Sequence, residues 1–159
     1  MTIKRFEDID AWQDARILAK NVYQCTSRAG FAKDFGLRDQ IQRAAGSVMH
    51  NIAEGFDSGG DVEFTRFLRY AQRSCTEVQS ELYVALDQKY ISDQQFEDLF
   101  SQASRTRSRI GGLIKYLLSS TKDKATKNGS RRPTVRLTKD ELTKDKATPV
   151  PVDEGLRTR

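Results

Sequence analysis

Residues 47–56, SVMHNIAEGF, decide how the chain is read. Val48, Ile52 and Phe56 recur every fourth residue, the spacing that places side chains on one face of an α-helix. Asn51 sits at the edge of that apolar row, and Glu54 follows within a turn. A helix lying free in water has no use for so apolar a stripe, and a plain core helix has no use for an amide beside it. At about 100° per residue, Gln40, Arg43, Ser47, Asn51 and Glu54 fall along one flank. Two readings of this flank stay open. It is an ordinary solvated helix edge, or it meets another helix or subunit, with Asn51 and Glu54 holding hydrogen bonds that set the register.

Working outward, the first 120 residues read as four helices. Helix one is expected from about Asp8 to Arg28, with Ala11, Trp12, Ala15, Leu18, Ala19, Val22 and Tyr23 at three- and four-residue spacing. Gly30 ends it. Helix two runs from about Leu37 to Phe56 through Ile41, Ala44, Ala45, Val48 and Ile52, and DSGG follows. Helix three starts near Asp61, which has the chemistry of an N-cap, and runs to about Lys89. Its stripe is Phe64, Phe67, Leu68, Ala71, Cys75, Val78, Leu82, Ala85 and Leu86. Ser92 and Gln95 form a capping-box pattern ahead of helix four, which continues from Phe96 through Leu117 and Leu118. Sustained period-two alternation is absent and the connections are short. The fold class is therefore all-α: an antiparallel up-down-up-down four-helix bundle over 1–120.

After Ser120 the character changes. All three prolines lie here, at Pro133, Pro149 and Pro151, and TKDKAT occurs twice, at 121–126 and 143–148. Apolar residues are too scarce to offset ordering entropy, so 121–159 reads as a disordered basic tail. Residues 1–120 hold 16 Lys+Arg and 16 Asp+Glu of the chain's 27 and 22, so the net charge of +5 belongs wholly to the tail. Nucleic-acid binding by the bundle must then rest on local patches rather than net charge.

The chemistry of most enzymes is missing from the sequence. It has no Gly-rich phosphate loop, no HExxH, no CxxC pair and no GxSxG. The one histidine, His50, falls on the polar side of helix two. Cys25 and Cys75 fall on or near apolar stripes and read as buried thiols. No catalytic residue, metal site or cofactor is expected. The acids in MTIKRFEDIDAW and the lack of a long apolar run lead to the expectation of a cytoplasmic protein without a membrane span.

Three features exceed what a plain bundle needs. The first is the polar flank of helix two. The second is Arg66, Arg69 and Arg73 on one face of helix three, which reads either as an ordinary solvated charge row, with Glu63, Glu77 and Asp87 near enough to pair with it, or as a row that could track phosphates. Arg16 and Lys20 on helix one, and Arg105 and Arg109 on helix four, form weaker versions, and Arg131 and Arg132 lie in the tail. The third is Gly111-Gly112 inside helix four, which implies close backbone approach or a bend. Arg107 falls on the inward side of helix four by this reading, with Glu54 or Glu81 as its partner.

RFEDIDAWQDA, FGLRDQIQRAAGSVMHNIAEGF and EFTRFLRYAQRSCTEVQSEL, in this order and spacing, resemble the four-helix-bundle family of 23S rRNA intervening-sequence proteins. The resemblance covers roughly residues 5–119. Gln40, Arg43-Ala44, Ser47 and Asn51 to Gly55 carry it most specifically, and Ser74 to Glu77 with Glu81 and Leu82 add to it. Met49 stands where the family often has Pro, which implies a straighter helix two. The resemblance implies a homopentameric ring without catalytic residues. One branch of the family, Avd, the accessory proteins of diversity-generating retroelements, implies more: a basic surface for RNA or DNA and a complex with a reverse transcriptase. A stand-alone family protein with another RNA or protein partner is the alternative, and a purely structural oligomer is a third. On the family pattern Gln40, Arg43, Asn51 and Glu54 would serve assembly or register. Gly55 would let the chain turn before helix three.

Overall fold

The computed structural model describes residues 3–28 and 30–126. Four helices, α1 (Asp10–Thr26), α2 (Phe35–Asp57), α3 (Asp61–Asp87) and α4 (Asp93–Thr126), form the expected antiparallel bundle. Each packs on its chain neighbours, and α1 closes the square against α4. Short 3-10 turns at Phe6–Asp8 and Phe31–Lys33 lead into α1 and α2. No helix among the described residues is long and apolar enough to cross a membrane.

The helix starts follow local chemistry. Asp34 caps α2 by accepting a hydrogen bond from the Leu37 amide at 3.1 Å. The capping box of α4 is complete: the Ser92 amide donates to Gln95 Oε1 at 3.0 Å, and the Gln95 amide donates to Ser92 Oγ at 3.3 Å. The start of α3 differs from expectation. Its N-cap is Gly60, and Asp61 lies inside the first turn with Glu63, where a carboxylate still favours the positive end of the helix. The tight link from α2 to α3 turns on Gly59, at φ +79°. α4 runs past Ser120 to Thr126. The remainder of the tail, with Arg131 and Arg132, lies outside the described residues.

The stripes read from the sequence meet in two continuous layers. One holds Leu18, Val22, Phe31, Ile41, Val78, Leu82 and Leu99. The other holds Ile9, Ala15, Val48, Ile52, Leu68, Cys75, Ile110 and Leu113. Met49 packs against both. The stripes overreach at their edges, where Tyr23 and Leu118 are exposed.

Gly55 corrects an expectation. It lies within α2, not in the turn, and it is buried. A Cβ there would sit 2.7 Å from Phe67 Cβ and 2.8 Å from Phe64 Cδ2. The residue therefore lets α2 and α3 approach, and Gly59 makes the turn. Of the helix-four pair, Gly111 has a similar but milder reason, with the Gln72 amide nitrogen 3.1 Å from its built Cβ. Gly112 faces open space, and nothing in the structure explains it.

Candidate nucleic-acid interface

Two members of the polar flank of α2, Gln40 and Ser47, meet α3 of the same chain. Gln40 Nε2 donates to Glu81 Oε1 at 2.8 Å. Ser74 Oγ donates to Ser47 Oγ at 3.1 Å, and Asn51 Nδ2 donates to both the Ser47 carbonyl, at 2.8 Å, and Ser47 Oγ, at 3.0 Å. Asn51 thus acts within its own helix, holding the serine that reaches α3. Glu54 and Arg43 are exposed, with no hydrogen bond or ion pair among the described residues. Glu81 has its carboxyl pushed above the usual range, first by partial burial and then by repulsion from Glu77, while the Gln40 hydrogen bond opposes the shift.

The cations sort differently from the sequence order. Arg109 turns toward α1, where its Nε lies 3.0 Å from Asp14 Oδ2 and its Nη1 4.0 Å from Asp10 Oδ2. Asp14 is nevertheless raised, because its burial outweighs the attraction of Arg109 and Arg105. Arg105 Nη1 donates to Ser101 Oγ at 2.8 Å. Arg16 lies 6.0 Å over the Trp12 ring, and Lys20 is exposed on α1. On α3, Arg66 makes an exposed ion pair with Glu63 at 3.4 Å. Arg69 and Arg73 are exposed and lack an acid partner among the described residues.

Arg107 was expected to point inward, but it is exposed. The buried position at that level is Thr106, whose hydroxyl donates to the Gln102 carbonyl at 2.9 Å. The helix turns about 100° per residue, so one step separates inside from outside. Neither Glu54 nor Glu81 pairs with Arg107. Gln72 of α3 donates to the Arg107 carbonyl at 3.2 Å, and Gln79 donates to Ser104 Oγ at 2.8 Å. This register sets the Arg69–Arg73 stretch of α3, through Gln72, against the Arg107 level of α4. Reading the sequence by helical faces missed Arg107. A different feature of the sequence could have found it. Residues 64–76 and 99–122 contain no acid, and an antiparallel hairpin lays the two segments side by side.

The thiols are inert features of the core. Cys25 and Cys75 are both buried, and burial pushes the Cys75 thiol up to about 12. His50 is exposed on α2.

The geometry defines an all-α bundle in which α3 and α4 lay two acid-free segments, carrying Arg69, Arg73 and Arg107, against each other. A family model described as 23S rRNA-intervening sequence protein matches residues 7–112, and the chain belongs to that family. The fold is also similar to a crystal structure of a protein with unknown function from the S23 ribosomal protein family of Bacteroides thetaiotaomicron VPI-5482. That match has a TM-score of 0.60 at 20% identity and covers 66% of this chain and 98% of the other. No curated protein matches the chain.

Proposed function

We propose that this protein is a non-catalytic bundle that self-associates and binds nucleic-acid backbone through its α3–α4 face, acting as a stand-alone member of its family. One observation carries the reading: Arg69, Arg73 and Arg107 lie on two acid-free segments of adjacent helices, joined by the Gln72–Arg107 hydrogen bond, and all three are exposed and without a carboxylate partner among the described residues. Unneutralised arginines on one face form the electrostatic footprint that phosphates recognise. Assembly as a homopentamer, implied by the family resemblance, would repeat this face around a ring. The inert thiols and exposed histidine suit a scaffold rather than a catalyst. The role of accessory subunit to a reverse transcriptase is the narrower form of this reading. The broader form is preferred because the family match extends over the bundle without distinguishing that branch, and because the bundle's charge balances overall.

The test is RNA binding against salt, using the full chain and an Arg69→Gln, Arg73→Gln, Arg107→Gln triple variant, with the mass of each in solution. Each lost phosphate contact on a single strand lowers the salt slope by about 0.7. The triple variant is therefore expected to lose about 2 from that slope while keeping its helicity and mass. Unchanged affinity and slope would overturn the assignment of this face.

A further inference from the structure

The α3 face carries something that phosphate contacts alone do not require. Phe67 and Tyr70 stand edge to face, with ring centroids 6.2 Å apart. The Arg66 guanidinium lies 5.8 Å from the Phe67 centroid and 6.0 Å from that of Tyr70. Arg73 lies 5.7 Å from the Tyr70 centroid. Tyr70 is thus flanked by two cations, and it remains 39% exposed. Its hydroxyl has no hydrogen-bond partner among the described residues. Arg69 and Arg73 adjoin it on the outer face of the same helix.

We infer that Tyr70, supported by Phe67 and bracketed by Arg66 and Arg73, is a stacking platform for an unpaired base, so that the ligand of this face is single-stranded nucleic acid. This rests on the nucleic-acid reading above and narrows it. Bases inside a duplex keep their faces against one another and offer only edges and phosphates. A single strand offers phosphates that draw the Arg66 and Arg73 guanidiniums off the ring, over which they lie 6.0 and 5.7 Å from the centroid, and a base face that takes their place; such stacking tolerates any sequence because every base has a π-face. The charge complements the backbone, while the ring discriminates strandedness.

The experiment compares the full chain with its Tyr70→Ala, Tyr70→Phe and Arg69→Gln, Arg73→Gln, Arg107→Gln variants. The probes are a fluorescently labelled twelve-nucleotide RNA, its DNA counterpart and the blunt RNA duplex, at one salt concentration. Circular dichroism and light scattering check fold and mass. Wild type is expected to prefer the single strands. Tyr70→Ala should weaken single-strand binding by about 5- to 100-fold and leave duplex binding and mass unchanged. Tyr70→Phe should retain binding, since the ring and not the hydroxyl acts. If Tyr70→Ala leaves single-strand affinity intact while the triple arginine variant loses it, the platform is refuted and the backbone-binding reading stands. If Tyr70→Ala instead changes the mass, the patch is a contact between copies and the platform falls. If wild type binds none of the three probes, both readings fall together.

Discussion

Gly55→Ala tests the packing that sets the α2–α3 distance. Carbon atoms in contact rest about 3.5–4.0 Å apart. The added methyl would meet Phe67 Cβ at 2.7 Å and Phe64 Cδ2 at 2.8 Å, a shortfall of about 1 Å against that spacing. The Phe64 ring can tilt. The Phe67 Cβ cannot move without its backbone, so relief requires the two helices to separate. Overpacking of this kind costs at the upper end of its usual range, about 3 kcal/mol. Alanine returns about 1 kcal/mol through its higher helix propensity. The net loss is about 2 kcal/mol, which in a bundle of this size lowers Tm by roughly 6–10 °C. Thermal unfolding by circular dichroism measures it, at one protein concentration because self-association shifts Tm. Gly112→Ala is the control. Its Cβ meets nothing within 4 Å, so the propensity gain of up to about 1 kcal/mol should appear alone. A Gly55→Ala protein as stable as wild type would show that the close approach at Phe67 is not what holds glycine there.

Ser47→Ala removes the hydroxyl that links Asn51 to Ser74, and should cost about 1–2 kcal/mol in urea denaturation; Glu54→Ala, at an exposed and unpaired site, should stay within about 0.5 kcal/mol of wild type. Glu81→Gln should raise stability at neutral pH. The folded protein holds the Glu81 proton more tightly than the unfolded chain does, so the native state binds more protons, and the wild-type contribution falls as pH rises through the carboxylate range. The advantage of the variant over wild type should therefore shrink as the pH is lowered. A pH-independent difference would mean that altered packing, not ionisation, separates the two proteins.

The helices were legible because each carries one long apolar stripe of unambiguous period, and the turns between them are short. Boundaries were less legible. Asp61 has the chemistry of a cap, yet Gly60 takes the position, since the extended backbone of Gly60 (φ −146°, ψ 141°) already turns the chain into the helix. Gly55 and Gly59 are both glycines near a helix end. Only the neighbouring helix distinguishes a glycine required for contact from one required for positive φ. The flank of α2 was legible as unusual, but its partner was not. Period and polarity show that Asn51 sits at an edge, while the register against α3 decides that Ser47 makes the crossing and Asn51 supports it.

Charge was the least legible property, for a reason that the two arginines Arg107 and Arg109 make plain. They are two residues apart, which is about 200° around the helix, so they serve opposite neighbours. Arg109 meets Asp10 and Asp14 on α1, and its charge is spent against those carboxylates at the partly exposed α1–α4 seam. Arg107 emerges beside α3 in a region without acids, and its charge remains available. A sequence counts both as +1. An electrostatic surface depends instead on which cations find a carboxylate, and that depends on which helices are adjacent and in what register. Balanced net charge over residues 1–120 therefore coexists with a local excess of positive charge. Of the 16 acids in residues 1–120, five lie on α3 itself, at Asp61, Glu63, Glu77, Glu81 and Asp87, and three on the first turns of α4, at Asp93, Glu97 and Asp98, yet none falls within the stretches 64–76 and 107–119, whose only charges are cations. A bundle can be neutral in sum and basic on one face, and phosphates respond to the face.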